Sequence, residues 1–299
     1  RFPYIMYTSS FSFPCVMYMN KQLNKLAISV FTHVKQKQFD KVIESIRNNK
    51  DFDVNIRDEH DNYLITYSVM YDNLELVKLL LSRGAYIDFL DSDGRNILLI
   101  PIKYRYIDVL TDLLQHDKTC TGKPVIILSD IVGSSPLDYG IHYMSIDIVQ
   151  LLLKYGADPN KTNSKDHNSL MHAITKRSIE LVKLLINTEI NINSQSSNGF
   201  TALHFAIDLQ QTEIVKLLLQ HPEINTDVAD YETEDTPLFR AVILNNKQIV
   251  EMLLKTDIDI NHQKTDGTSV LHQVLRDDNL ECFKMFVKRV DTIYDLLDL

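Results

Sequence analysis

The sequence predicts an all-α fold, a solenoid of stacked helix-turn-helix units whose tips are loops or β-hairpins. Three observations predict it. An apolar residue pair, usually two leucines, recurs at a nearly constant interval along most of the chain. A second marker, a polar residue followed two positions later by leucine, recurs in the same phase. The segments that contain the pair space their apolar residues as one face of a helix requires.

The interval between the recurring pairs defines the unit. The first member of the pair is Leu80, Leu113, Leu152, Leu185, Leu218 and Leu253, with Phe286 in the last position, so the steps are 33, 39, 33, 33, 35 and 33 residues. The second marker is at Asn96, Ser135, Asn168, Thr201, Thr236 and Ser269, with steps of 39, 33, 33, 35 and 33. Because both markers share even the irregular steps, each step is one structural unit. The longest step places extra residues within 116–126, as surface loops tolerate.

Each unit is predicted to contain a turn, a helix, a short link, a second helix and a loop. Segments such as 197–199 (SNG) suit a tight turn, and the polar marker suits a helix N-cap. The second helix carries an apolar stripe, for example Ile148, Val149 and Leu152. Gly156 ends that helix, because glycine adopts the left-handed geometry of a C-terminal cap at little cost.

The motifs then show a family resemblance. TALHFA (201–206) and TPLFRA (236–241) match the pattern TPLHxA, and YGADPN (155–160) matches the loop pattern GADxN. On these motifs the chain resembles the ankyrin repeat family over nearly everything after residue 23. YLIT (63–66) and NILL (96–99) depart from the motif, so we expect the first two repeats to pack less regularly.

The resemblance implies a domain organisation. We expect a non-structural leader over 1–23, a degenerate N-terminal capping repeat over 24–57, seven ankyrin repeats within 58–297, and a short C-terminal tail. The repeats are predicted at 58–90, 91–129, 130–162, 163–195, 196–229, 230–263 and 264–297. The last helix is unusually apolar for a terminal repeat. We therefore expect either a longer natural array or a tail that folds back over that helix, with Ile293, Tyr294, Leu296 and Leu297 as its apolar residues.

Composition restricts the classes of partner and compartment. The 299-residue chain has a net charge of −9 and a pI near 5.5, which disfavours general binding to nucleic acid. Cys15, Cys120 and Cys282 have neither zinc spacing nor the even number of a disulfide framework, which indicates a reducing compartment. The apolar first twenty residues are broken by Pro3 and Pro14 and do not match a signal peptide or a membrane span. We expect a cytoplasmic monomer that binds no membrane.

Catalytic signatures are missing from the sequence. It contains neither GxSxG nor HExxH, and no histidine set has metal spacing. His204 and His272 occupy the motif histidine, for which the resemblance implies a structural hydrogen bond between turns. We therefore expect no enzyme activity and no cofactor.

The predicted binding surface is the concave wall that first helices form in ankyrin arrays. The two exposed positions late in these helices place a tyrosine in three successive repeats, and tyrosine is enriched in binding hot spots. Packing of the tyrosines on the helices behind them is the alternative. The candidate partner-binding residues are Met70, Tyr71, Lys103, Tyr104, His142, Tyr143, Leu209, Ile243 and Leu244.

The resemblance also implies a modification. Ankyrin loops are substrates of asparaginyl hydroxylases, and the matching position holds Asn55, Asn160, Asn193 and Asn261. Asp88 and Asp227 take this position in other repeats. The alternative is that asparagine simply suits the turn.

We therefore expect a non-catalytic scaffold that binds another protein on its concave face. Two alternatives remain: a substrate-recruiting subunit of a ubiquitin ligase, acting as a viral adaptor for host factors, or the targeting part of an enzyme whose catalytic domain is elsewhere. The composition, rich in Asn, Ile and Lys, resembles mimivirus-like ankyrin arrays of giant DNA viruses and those of protists. For a viral protein the expected compartment is the host cytoplasm.

Overall fold

The computed structural model describes residues 16–91, 94–116, 125–131 and 133–297, with side chains described from residue 25 to residue 289 outside the gaps. Most of the predicted leader and of the predicted insertion therefore lies outside the described residues. The described part forms sixteen α-helices and a 3₁₀ helix at Val125–Ile127. The α-helices are α1 Val16–Lys35, α2 Phe39–Asn48, α3 Leu64–Met70, α4 Leu74–Ser82, α5 Leu99–Tyr104, α6 Ile107–Gln115, α7 Pro136–His142, α8 Ile146–Lys154, α9 Ser169–Thr175, α10 Ile179–Ile186, α11 Ala202–Asp208, α12 Thr212–Leu219, α13 Pro237–Ile243, α14 Lys247–Leu254, α15 Val270–Arg276 and α16 Leu280–Leu297.

The helices stack in two rows. The odd-numbered helices pack in sequence from α1 to α15, and we call them the first-helix row. The even-numbered helices form the second-helix row behind them, and each packs against the first helix of its own pair. This is the all-α solenoid that the sequence predicts. Helix α1 begins at Val16, inside the segment predicted as a leader.

The core runs the length of the array. The apolar stripe of each second helix is buried, as at Leu76, Val77 and Leu80 in α4. One helix pair cannot cover such a stripe alone, so each pair is stabilised by burial against its neighbours. In α16 the stripe holds Cys282 and Phe286, which are also buried.

The link between the two helices of each pair has a constant backbone conformation. One non-glycine residue in each link has a positive φ between 49° and 60°. These residues are Lys37, Asp72, Arg105, Met144, Arg177, Gln210, Asn245 and Asp278, spaced 35, 33, 39, 33, 33, 35 and 33 residues apart. This left-handed conformation is uncommon for side chains other than glycine, asparagine and aspartate. The regular spacing of these residues marks the repeats independently of the leucine pairs. It extends to the link between α1 and α2, where Lys37 lies.

The tips of the repeats have little β-structure. Within the described residues they contain isolated antiparallel bridges, at Arg57 with Tyr63, Leu90 with Asn96 and Gln263 with Ser269. Adjacent tips also pair directly, as where Tyr231 N–H donates to Asn198 O at 3.1 Å.

The predicted fold-back of the C-terminal tail is wrong. Helix α16 continues without a break from Leu280 to Leu297, so residues 291–297 extend the last helix. Helix-forming residues such as Leu296 and the lack of glycine or proline after residue 280 account for this continuation.

Candidate functional site

A groove of about 360 Å³ lies on the first-helix row, at α3, α5 and α7. We call it the aromatic groove. Met70, Lys103, Tyr104 and Tyr143 line it, together with Tyr139 and Ile100. The loop before α5 adds Phe89, Asp91 and Arg95 to the lining. Four of the predicted binding residues therefore lie together at one opening.

The register of the links positions these side chains. Tyr104 ends α5 and directly precedes the left-handed residue Arg105, while Tyr143 follows α7 and directly precedes Met144. Equivalent backbone positions therefore present both rings on the same face of the array. Tyr104 is 55% exposed and Tyr143 is 37% exposed, so both rings are accessible to a partner.

Tyr71 occupies the same register position but does not line the groove. Its ring is half-buried against the core and lies 5.8 Å from the ring of Phe39. The Lys37 ammonium lies 4.9 Å from the Tyr71 ring centroid. The N-terminal helix pair supplies both neighbours. Tyr71 therefore has the packing role that was considered as the alternative for all three tyrosines.

The groove contains a tyrosine that the sequence analysis did not select. Tyr139 O–H donates to Asp130 at 2.5 Å. Burial and this hydrogen bond raise the pKa of Tyr139 to about 12. Tyr67 O–H donates to Asp58 in the same way, at 2.6 Å. In both pairs the tyrosine follows the aspartate by nine residues, and this spacing is visible in the sequence.

Two lysines on this face each lie beside a ring. The Lys103 ammonium lies 5.2 Å from the Tyr104 ring centroid. The Lys176 ammonium lies 3.0 Å from His142 Nδ1. Burial and the Lys176 charge lower the pKa of His142, so at neutral pH its ring can accept the hydrogen bond from lysine. These contacts fix His142 beside Tyr143, whose ring centroid is 5.1 Å away.

The first-helix row of the later repeats differs from the aromatic groove. Leu209 and Leu244 are half-buried and pack against the core, while Ile243 is exposed. In these repeats the guanidinium of Arg240 on α13 pairs with the carboxylate of Asp208 on α11. Of these three apolar candidates, only Ile243 therefore offers a large exposed side chain.

The candidate hydroxylation sites act as clamps between neighbouring loops. Asn160 Nδ2 donates to Glu189 O at 2.7 Å, and Asn160 Oδ1 accepts from Asn191 N–H at 2.6 Å. Asn55 makes the equivalent pair of bonds to Gly84 and Tyr86, and Asn193 makes it to Glu223 and Asn225. Asp227 makes one of these two bonds, because its carboxylate accepts from Asp259 N–H. Asp88 is buried, whereas Asn261 is exposed in the last repeat.

The motif histidine has the structural role that the resemblance implies. His204 is fully buried, and its Nδ1 accepts from the Thr201 N–H at 3.2 Å. The neutral ring then carries its proton on Nε2, which donates to Asp235 O of the next repeat at 3.1 Å. Burial lowers the pKa of His204 and keeps the ring neutral. His272 makes the first of these contacts, with Ser269 N–H at 3.1 Å.

A larger groove of about 530 Å³ lies between α14 and α16. It is lined mainly by charged side chains, including Lys255 and Glu251, which pair with each other at 2.8 Å.

Among the described residues, no group of three or more His, Cys, Asp or Glu side chains is arranged to hold a metal ion. No helix within the described ranges is both long enough and apolar enough to cross a membrane.

Comparison with known proteins gives consistent matches. A family model described as "Ankyrin repeats (3 copies)" matches residues 137–230, and one described as "Ankyrin repeats (many copies)" matches residues 238–287. An ankyrin repeat protein of Acanthamoeba polyphaga mimivirus is 32% identical over 263 residues, which is 88% of this chain and 34% of the relative. The chain thus spans about a third of the length of the curated relative that it matches.

A solved structure is similar in fold. The crystal structure of the ankyrin repeat domain of Bcl-3, described as a unique member of the IkappaB protein family, has a TM-score of 0.64 to this chain and 19% sequence identity. The match covers 72% of this chain and 95% of that domain. At this identity the likeness concerns the fold alone.

Proposed function

This chain belongs to the ankyrin repeat family, as its motifs predict, and we propose that it is a non-catalytic scaffold that binds a partner protein in the aromatic groove. Ankyrin repeats are in general protein–protein interaction modules. The viral relative also confirms the mimivirus-like resemblance in composition. The proposed binding surface is thus smaller than the whole concave wall that the sequence suggests.

The observation that carries this proposal is the grouping of accessible aromatic and apolar side chains at one opening. Tyr104 and Tyr143 expose rings that the stacked helices hold in fixed positions, and Met70 adds a flexible apolar surface. Tyrosine offers large contact area with few rotatable bonds, so it loses little conformational entropy on binding. Rings that are already positioned reduce the ordering cost of binding further.

The test is to identify a partner and then to measure its affinity. The intact chain is used to recover bound proteins from the cells that produce it, and purified candidates are titrated by calorimetry. The double change Tyr104→Ala with Tyr143→Ala should weaken binding at least about thirtyfold, because truncation of hot-spot residues typically costs ~2 kcal/mol or more.

The matched control is Tyr86→Ala, which removes an exposed tyrosine outside the groove. Equal affinity of the double variant and the control would exclude the aromatic groove as the binding site. Recovery of ubiquitin-ligase core subunits would favour the adaptor alternative. Turnover of a substrate by the chain alone would contradict a non-catalytic role, and turnover only in association with a separate catalytic domain would favour the targeting alternative.

The site of action is proposed on similar grounds. A viral relative is consistent with a protein that works in the host cytoplasm. Fractionation of producing cells would test this location, and recovery in a membrane or secreted fraction would contradict it.

A further inference from the structure

An aspartate at the tip of the first and the third repeat binds a tyrosine of its own repeat. Tyr67 O–H donates to Asp58 Oδ2 at 2.6 Å, and Tyr139 O–H donates to Asp130 Oδ2 at 2.5 Å. In each aspartate the other oxygen, Oδ1, accepts the backbone N–H four residues later, at 3.0 and 2.8 Å. One carboxylate oxygen therefore holds the turn, and the other holds a phenol.

The repeat between these two has the same turn but a shorter side chain at the position of the tyrosine. Asp91 Oδ1 accepts from Arg95 N–H at 2.8 Å, as in the neighbouring tips. Ile100 follows Asp91 by nine residues and so takes the place of Tyr67 and Tyr139. Asp91 and Ile100 both line the aromatic groove. We call the part of the groove between these two side chains the Ile100 notch.

The later repeats do not combine a tip aspartate with a short apolar residue. The residues equivalent to Ile100 are His172, Phe205, Arg240 and Gln273. The corresponding tip residues are Asn163, Ser196, Asp230 and Lys264. Asp230 already accepts from Thr233 O–H at 2.7 Å and from Asp235 N–H at 3.1 Å through the oxygen equivalent to the phenol acceptor. The notch is therefore specific to the second predicted repeat.

The carboxylate of Asp91 is accessible from the groove and has room for a further donor. Its side chain is 15% exposed, whereas that of Asp58, beneath the Tyr67 ring, is 0% exposed. Arg95 Nε donates to Asp91 Oδ2 at 2.9 Å. Asp58 Oδ2 holds the Tyr67 hydroxyl while it also lies 3.0 Å from the Lys35 ammonium. A cation on this oxygen is thus compatible with a phenol on the same oxygen.

We infer that the partner protein inserts a tyrosine side chain into the Ile100 notch, where the ring packs on Ile100 and the hydroxyl donates to Asp91. This inference rests on the proposed function, because it names the side chain that the aromatic groove receives. The exposed rings of Tyr104 and Tyr143 line the same groove and offer aromatic surface to the incoming ring. A phenylalanine would cover Asp91 without donating a hydrogen bond. A phosphotyrosine would bring negative charge against the carboxylate.

The first experiment measures this preference with small probes and the intact chain. N-acetyltyrosinamide and N-acetylphenylalaninamide are titrated separately and followed by saturation-transfer NMR. The tyrosine probe should bind at least about fivefold more tightly, because only its hydroxyl bonds to the carboxylate. The phosphorylated tyrosine probe should bind more weakly than the unmodified one. Equal affinity for the tyrosine and phenylalanine probes would overturn the inference, and so would tighter binding of the phosphorylated probe.

The second experiment fills the notch from within the chain. Ile100→Tyr should place a ring and hydroxyl on Asp91 as in the neighbouring repeats, so it should abolish binding of the tyrosine probe without lowering the unfolding midpoint. The control is Leu275→Tyr, which adds a tyrosine at an exposed position of α15 and should leave probe binding unchanged. Undiminished probe binding by folded Ile100→Tyr would overturn the inference.

Asp91→Asn tests the acceptor without filling the notch. It keeps an oxygen for the Arg95 N–H but removes the carboxylate charge, so the preference for the tyrosine probe should fall to about twofold or less. An unchanged preference in this variant would show that Asp91 is not the acceptor and would overturn the inference.

Binding of the partner protein separates failure of this inference from failure of the proposed function. Ile100→Tyr should weaken partner binding, as should the double change at Tyr104 and Tyr143. Loss of binding in the double variant but not in Ile100→Tyr would leave the groove as the binding site and overturn the tyrosine contact. Unchanged binding in both variants would exclude the groove itself.

Discussion

The guanidinium of Arg240 on α13 holds the carboxylate of Asp208 on α11 through two hydrogen bonds, at 3.0 and 2.6 Å. The pair joins the first helices of adjacent repeats, and the two side chains are only 24% and 25% exposed. Arg240 also lies 3.6 Å from the buried Asp235 and stacks over the Phe200 ring at 5.0 Å. A two-point contact of this kind fixes the orientation of one repeat relative to the next.

The first prediction concerns this ion pair. Arg240→Ala leaves Asp208 without its cation and leaves Asp235 with Lys264 alone, so the free energy of unfolding should fall by about 2 kcal/mol in urea denaturation. The control is Lys255→Ala, which removes an exposed ion pair with Glu251 four residues earlier and should lower the free energy of unfolding by much less. Similar losses for both variants would show that the Arg240 contact is no stronger than a surface pair.

The second prediction separates two tyrosines in the same register position. Tyr71→Ala removes a ring that packs on Phe39 and the core, so it should lower the free energy of unfolding by roughly 1–3 kcal/mol. Tyr104→Ala removes an exposed ring and should change stability by no more than ~0.5 kcal/mol. Chemical denaturation of both variants checks this. A larger loss for Tyr104→Ala would mean that the groove tyrosines are packing residues.

The third prediction concerns pH. Burial lowers the pKa of His204 below its ordinary value near 6.5, so the unfolded chain takes up the proton first as pH falls. The contribution of His204 to stability is therefore complete above about pH 6.5 and declines below it, by at most ~1.4 kcal/mol per pH unit. Stability measured at pH 7.5 and pH 5.0 should fall less in His204→Gln than in the unchanged chain.

The control for the pH prediction is Asn193→Ala, which destabilises the chain without removing a titratable group. It should lower stability by the same amount at pH 7.5 and at pH 5.0. His142 and His167 also have pKa values lowered first by burial, so His204→Gln should retain part of the dependence. An identical pH dependence in His204→Gln and the unchanged chain would contradict the role assigned to His204.

The fourth prediction concerns the asparagine clamps. Asn193→Ala removes the bonds to Glu223 O at 2.6 Å and from Asn225 N–H at 2.8 Å, and should cost about 1–2 kcal/mol. Asn187→Ala is the control, because its side chain bonds to Lys183 O within the same helical turn and should matter by less than ~0.5 kcal/mol. Equal losses would show that the clamp adds nothing specific to the stacking of the loops.

Hydroxylation of the asparagines is proposed on the resemblance, and mass spectrometry tests it. Co-expression with an asparaginyl hydroxylase should add one oxygen atom to peptides that contain Asn55, Asn160, Asn193 or Asn261. Asn261 should be modified first, because it is exposed, whereas the clamps of the other three have to open. Peptides without added oxygen would end the proposal.

The sequence alone was sufficient for the fold class and the register of the repeats. The stripe around Leu80, Leu152 and Leu218 is a local pattern, as are the polar caps of α7, α9, α11, α13 and α15. Helix formation and capping depend on neighbours a few residues away. The equivalence of Tyr71, Tyr104 and Tyr143 also followed from the period alone.

Only the tertiary structure decided what those equivalent positions do. Tyr71 is packed by Phe39, more than thirty residues earlier, while Tyr104 and Tyr143 face an open groove. Leu275 is exposed although the equivalent Val242 of the preceding repeat is buried, because burial depends on the surrounding helices and not on the residue itself. A local pattern determines which face of a helix is apolar, but its exposure is set by neighbours that lie a full repeat away along the chain.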